Sequence, residues 1–144
     1  MNIANELEWL NLVVEILDAY PNGAVIGLSG PLGAGKTSLV RSFIGEVARR
    51  NGLKIPRVVS PSFVFHQAYA ELSPPVDHFD LYRLENISES TLRELGVFEA
   101  QERGREKKGF VFIEWPEKIS AGAFCSDFTL TITIAAVGRR VTKS

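Results

Sequence analysis

Residues 30–37 read GPLGAGKT and satisfy G-x-x-x-x-G-K-[ST] at every fixed position. Such a turn can close its backbone amides around a phosphate only when a buried strand feeds it and a helix begins inside it. Both neighbours are legible. Residues 24–29 (AVIGLS) are a short apolar run bounded by glycines, as expected of a strand covered on both faces. Residues 37–50 (TSLVRSFIGEVARR) place Leu39, Phe43, Ile44 and Val47 on one helical stripe, and Gly52 stops the helix. Gly30, Gly33 and Gly35 let N–H groups turn inward, and the helix adds its positive end. In this chemistry Lys36 reaches the β- and γ-phosphates, and the Thr37 hydroxyl binds Mg²⁺.

The rest of the chain alternates helix and strand signals. Leu7, Leu10, Val14 and Leu17 recur at helical steps and predict a helix ending near residue 20. Residues 57–60 read as a short strand broken by Pro61. Residues 63–70 and 76–82 read as an antiparallel hairpin joined across Ser73, Pro74 and Pro75. Asn86 and Glu89 resemble a capping pair for a helix running to Gly96, with another helix over 97–103. Residues 110–113 (FVFI) are a buried strand, residues 128–135 (FTLTITIA) alternate as a half-exposed one, and Gly138 turns into a last short strand. The pattern predicts a three-layer α/β fold of the P-loop NTPase kind, with a mixed, partly antiparallel sheet. At 144 residues, 1–144 is read as a single domain.

Composition narrows the function classes. Sixteen basic against seventeen acidic residues give a formal charge of -1, with no broad drive toward nucleic-acid phosphates. No apolar run is long enough to span a bilayer, and the N-terminal residues lack a basic leader followed by an apolar core, so a cytoplasmic location is expected. The lone Cys125 reads as a half-buried apolar residue near a turn in a reducing compartment.

A phosphate site also needs an acid for its Mg²⁺ shell, commonly at the carboxyl end of a neighbouring strand. Asp80, in VDHFDLYRL, and Glu114, directly after FVFI, are the two candidates. Either of them, Asp80 or Glu114, serves to orient the attacking water as well. Arg41, Arg57, Arg83 and Arg93 read as surface or ion-paired side chains, so no arginine finger is assigned. His78 reads as a strand histidine in preference to a general base, and His66 carries no assignment.

Taken together, the motifs resemble the TsaE family, the bacterial ATPases of tRNA threonylcarbamoyladenosine biosynthesis. The matching stretches are residues 32–37 (LGAGKT), 60–63 (SPSF), 78–83 (HFDLYR), 114–117 (EWPE) and Gly138-Arg139, in family order over nearly the whole chain. The resemblance implies an Mg²⁺-ATP site containing Asp80 and Glu114, with Thr37 also on the metal. It further implies nucleotide contacts from Gly30, Pro31, Leu32, Gly33, Ala34, Gly35, Lys36, Thr37 and Ser38, and from Ser62, Trp115 and Arg139. Ser62 stands where the family has threonine; it keeps the hydroxyl and loses the methyl. The threonine usual near the first helix has no counterpart in residues 2–8, which leaves the adenine contacts unassigned.

The resemblance also implies the purpose of ATP. The modification falls on adenosine 37 of tRNAs reading ANN codons, made by a TsaD-type subunit with TsaB, while the present chain resets that pair by hydrolysis and meets tRNA only through it. Two rivals stand beside this reading. A small-molecule kinase would use the arginine-bearing stretch 85–109 as a lid, and a nucleotide-gated binding module would bind without turnover. Guanine is disfavoured because N-K-x-D is not present.

Overall fold

The computed structural model describes residues 1–61, 63–120 and 122–144. Its elements, in chain order, are β1 (Asn2–Ile3), α1 (Glu6–Ala19), β2 (Gly23–Ser29), α2 (Lys36–Arg50), β3 (His66–Tyr69) and β4 (Val76–Asp80), then α3 (Glu89–Leu95), α4 (Val97–Arg105), β5 (Gly109–Glu114), β6 (Phe128–Ile134) and β7 (Arg139–Lys143). A 3-10 turn, Pro116–Lys118, follows β5. Seven strands form one sheet in the order β1-β7-β6-β2-β5-β4-β3. The middle is parallel: β2 pairs with β5 and β6, and β5 with β4. Both margins are antiparallel, through β3 on β4 at one side and β7 on β6 and β1 at the other. This is the expected mixed three-layer α/β architecture.

Parallel strands need cover on both faces, and the burial follows that rule. Every residue of β4 and β5 is buried, as are the first six of β2. On one face α1 and α2 join the large core, where Phe43 sets its ring edge against Phe110 and Phe112 at centroid distances of 4.7 and 4.9 Å. The other face carries a second core of Val25, Phe79, Val111 and Ile113 with residues of α3 and α4. Alternation along β4 therefore sends Val76 to the first core and Phe79 to the second.

Several local expectations are corrected. Helix α1 is rotated from the expected stripe: Trp9, Leu12, Val13, Ile16 and Leu17 are buried, whereas Leu7 is 65% exposed. Its start is set by Asn5, whose side chain accepts from Glu8 N at 3.1 Å while Glu8 Oε2 accepts from Ala4 N at 2.6 Å. Residues 57–60 are not a strand; the strand that pairs with β4 at that margin of the sheet is β3. The first hairpin strand is shorter than expected, and Phe63 and Val64, expected inside it, are exposed. The cap of α3 is Ser88, accepting from Thr91 N at 3.2 Å, and Asn86 instead sits at φ 52°. Cys125 is exposed. Among the described residues, no helix is long and apolar enough to cross a membrane.

The kinase-lid reading loses its support. Helix α4, within residues 85–109, packs against β2 and β5, and Arg103 is bonded to Asp77. Asp77 is the buried knot between β3, β4 and α4: Oδ1 lies 2.7 Å from His66 Nε2 and Oδ2 accepts from Arg103 Nη2 at 2.9 Å. Burial alone would push its carboxyl up, but the bonds and charges of His66 and Arg103 hold it below the ordinary carboxylate value.

A depressed acid stabilises the fold above its unfolded pKa, near 4, and that contribution is lost as pH falls through the lower folded value. Asp77→Asn should therefore cost about 1–3 kcal/mol at pH 7, the scale for breaking one side of a buried charged bond. Because Arg103 is partly exposed, the lower half of that range is expected. Urea unfolding at pH 7 and pH 3 checks this; an equal difference at both values would count against the ionised carboxylate as the cause.

Candidate functional site

The parallel pairing of β2, β5 and β4 brings three carboxyl ends to one rim. Glu114 is paired with Leu28 on one side and with Asp80 on the other. One residue after Leu28 the chain leaves the sheet at Ser29 and enters the glycine loop. Phosphate sites of open α/β sheets lie at such carboxyl ends. The two acids separated by 34 places in sequence are thus immediate neighbours in space.

The loop itself depends on glycine at particular places. Gly30 has φ 145°, and a Cβ there would collide with the carbonyl oxygen of Ile132 on β6. Gly35, just before α2, has φ 112°, and a Cβ there would lie 2.9 Å from the Trp9 ring of α1. A backbone in this region is strained for any residue with a side chain. The loop is thereby pressed between a strand carbonyl and an indole, with α2 beginning directly behind it.

Lys36 is buried at 5% exposure, with Nζ donating to Gly30 O at 2.5 Å and Pro31 O at 2.9 Å. Its ammonium also lies 4.5 Å from the centroid of the Trp115 ring. Burial lowers its pKa below the usual lysine value, while the charges of Glu114, Asp80 and Glu117 oppose that shift. A phosphate in the loop offers this ammonium an ionic acceptor in place of carbonyls, the stronger kind of bond.

Thr37 Oγ1 donates to Glu114 Oε2 at 3.2 Å, so the expected neighbourhood of those two residues is present. Asp80 accepts from Ser60 Oγ at 2.9 Å and from Tyr82 N at 3.0 Å, which also ties the segment before Pro61 to the site. Ser62 lies outside the described residues. Arg139 donates through Nε to Ala34 O at 2.8 Å and through Nη2 to Gly33 O at 3.2 Å, so it braces the back of the loop. Trp115 has left-handed backbone angles, φ 64° and ψ 48°, a conformation that costs of order 1–3 kcal/mol for a residue with a Cβ. Its N–H donates to Leu28 O at 3.1 Å and its ring tilts over Tyr82 at 5.1 Å, while Pro116 opens the following turn.

Lys36, Thr37, Asp80, Glu114, Trp115 and Arg139 all line one cleft of about 340 Å³, together with loop residues from Leu32 to Ser38 and with Ser60. Gly30 and Pro31 are represented there by the carbonyls that hold Lys36. An apolar pocket of about 400 Å³ lies elsewhere, between α1, β6 and β7.

The donor set fits Mg²⁺. One hydroxyl and two carboxylates are hard oxygen ligands, and Mg²⁺ characteristically combines one or two carboxylates with phosphate oxygens. Among the described residues, no group of three or more His, Cys, Asp or Glu forms a metal cage of its own.

Three participants received no site role from the sequence, although His78 and Ser60 lie in the quoted motifs. His78 is wholly buried with Nε2 2.5 Å from Glu114 Oε2, and the H-x-D spacing was its available signal, since residues two apart share a strand face. Trp9 backs Gly35 from α1 and Ser60 bonds Asp80, and neither contact has a local sequence signature.

Comparison with known proteins agrees with this geometry. The crystal structure of Bacillus subtilus YdiB superposes with a TM-score of 0.65 at 25% sequence identity, covering 99% of this chain and 82% of YdiB. No curated protein sequence matches the chain. A family model described as threonylcarbamoyl adenosine biosynthesis protein TsaE matches residues 3–142. With a phosphate loop, two rim acids and a match across almost its whole length, the chain belongs to the TsaE family, whose role is in tRNA threonylcarbamoyladenosine biosynthesis.

Proposed function

We propose that residues 1–144 act as one Mg²⁺-dependent ATPase subunit of the cytoplasm, required to form the threonylcarbamoyl group on adenosine 37 of tRNAs reading ANN codons. It hydrolyses ATP to reset a TsaB–TsaD transferase pair, and reaches tRNA through that pair. The observation that carries the reading is the bond from Thr37 to Glu114 at the mouth of the phosphate loop, with Asp80 beside Glu114 on the next strand.

Phosphoryl transfer to water depends mainly on positioning and on charge stabilisation. The loop amides and Lys36 hold the phosphates, and Arg139 keeps the loop in shape from behind. Thr37, Asp80 and Glu114 would hold Mg²⁺, which when bound would supply charge neutralisation on the phosphates. Glu114 is the better candidate for orienting water, because Oε2 takes Thr37 and His78 whereas Oε1 has no hydrogen-bond partner among the described residues. Asp80 accepts at both oxygens, which suits it to holding the Ser60 segment and metal-bound water. Trp115, whose ring lies beside the Lys36 ammonium, would border the nucleotide.

Among the described residues lining the cleft the one arginine is Arg139, and its guanidinium is bonded to the loop carbonyls. Arg83 lies over Phe63, Arg93 over Phe98, Arg103 on Asp77, and Arg139 on the loop carbonyls. A site whose arginine is engaged in this way is expected to turn over slowly alone and at least about tenfold faster when a partner orders it.

Labelled ATP, incubated with the chain alone and with TsaB and TsaD added, tests the proposal. Equal turnover in both mixtures would reject partner stimulation. Label on a small acceptor would favour a kinase, and tight binding without phosphate release would favour a binding module.

A further inference from the structure

His78 lies in β4 at 0% exposure, two residues before Asp80 and on the same strand face. Its Nε2 is 2.5 Å from Glu114 Oε2, while its Nδ1 has no hydrogen-bond partner among the described residues. A proton on Nδ1 would be buried without an acceptor, so the proton belongs on Nε2, where it meets the carboxylate. Glu114 Oε2 then accepts two donors, the His78 N–H and the Thr37 hydroxyl. Oε1 accepts none among the described residues.

This asymmetry has a mechanical consequence. A glutamate side chain ends in a soft, roughly two-fold torsion, and a single bond from a threonine hydroxyl at 3.2 Å is a weak restraint on it. The shorter bond comes from a ring that strand packing already immobilises, because β4 is buried along its whole length. Donors behind a carboxylate ligand orient it, and their removal typically costs 10–100-fold in metal affinity or activity.

We propose that His78 is the positioning residue for Glu114: through Nε2–H it holds Oε2 in place and leaves Oε1 as the oxygen available to the Mg²⁺ shell and the attacking water. The inference rests on the Mg²⁺-ATPase reading and adds a residue which that reading does not need. A purely packing histidine would have no reason to spend its only satisfied nitrogen on the site carboxylate.

The test compares three substitutions in the full chain. In His78→Gln the amide nitrogen reaches the place of Nε2, in His78→Asn it reaches only the place of Nδ1, and His78→Leu has no donor. ADP binding is measured by calorimetry with Mg²⁺ and with EDTA, alongside thermal unfolding without nucleotide. His78→Asn and His78→Leu should weaken Mg²⁺-dependent ADP binding about tenfold and leave binding in EDTA within about twofold. His78→Gln should recover to within about threefold of the unsubstituted chain.

If His78→Gln and His78→Asn bind alike, or if losses are equal with and without Mg²⁺, positioning is overturned. The same holds if affinity merely follows the melting temperature across the three. Should the leucine variant fail to fold, the two amides still decide, since both bury a polar group and only one reaches Glu114. An unsubstituted chain that binds ADP equally with Mg²⁺ and EDTA would overturn the ATPase reading and this inference with it. Normal Mg²⁺ dependence with unaffected variants overturns the inference alone.

Discussion

Lys36→Met should lower the proposed ATP turnover by about 10²–10³-fold, the scale of removing one preorganised charge from a transition state, and should leave stability at pH 7 unchanged or raised. The two halves of that expectation come from the same contact set. Methionine keeps the apolar stem beside Trp115 and deletes the ammonium that would meet the phosphates. It also deletes a charge that folding places at 5% exposure on two carbonyls, in an environment that lowers its pKa through burial.

The sign of the stability term follows from linkage. A lysine whose folded pKa lies below its unfolded one disfavours folding while charged, and the penalty fades as pH rises from the folded value toward about 10.4. Any stabilisation by Lys36→Met should therefore be largest at neutral pH and shrink as pH rises toward about 10.4. Gly30 and Pro31 are not fully buried, so their carbonyls can turn to water once the ammonium is gone. Differential scanning fluorimetry across pH, with turnover measured on the same samples, decides the matter. Turnover retained within about threefold would remove Lys36 from the mechanism.

Glu114→Gln should lower turnover by about 10²-fold or more and split nucleotide affinity according to the metal. With Mg²⁺ present, ADP binding weakens because a charged ligand to the metal shell is lost. In EDTA it strengthens or stays level, since one negative charge beside the phosphates has gone and like charges a few ångströms apart repel. Glutamine retains a carbonyl that can accept from His78 Nε2 and Thr37 Oγ1, so unfolding should shift little. Calorimetric titration with ADP in the two buffers reads the split directly. A uniform loss in both would mark Glu114 as a support for the loop and leave the metal role without its best candidate. Asp80→Asn makes a less clean probe, because Asp80 accepts at both oxygens and an amide nitrogen would face one of its donors.

The site was legible where chemistry is written in contiguous residues. GPLGAGKT identifies itself because backbone amides, one ammonium and one hydroxyl must arrive in a single turn, and no longer-range contact is needed to define it. FVFI followed by an acid was legible for a similar reason: a run buried on both faces has to end in something polar where it meets the rim. The stripe of α2 was read correctly, with Leu39, Phe43, Ile44 and Val47 all buried. That of α1 was read a fraction of a turn away. Its apolar residues surround more than one face, so periodicity alone left several phases, and contact with α2 and the sheet selected Trp9 over Leu7.

By itself, then, the sequence determined the phosphate loop, the alternation of strands and helices around it, and the pool of acids from which a metal ligand is drawn. Only the tertiary structure decided which acids meet. Register between β4 and β5 sets Asp80 against Glu114, register between β5 and β2 sets Glu114 beside the loop, and burial of β4 turns His78 toward that carboxylate. The physical reason is that strand periodicity says which residues share a face, while pairing register, set by the packing of the whole sheet between two helical layers, says which strand ends coincide.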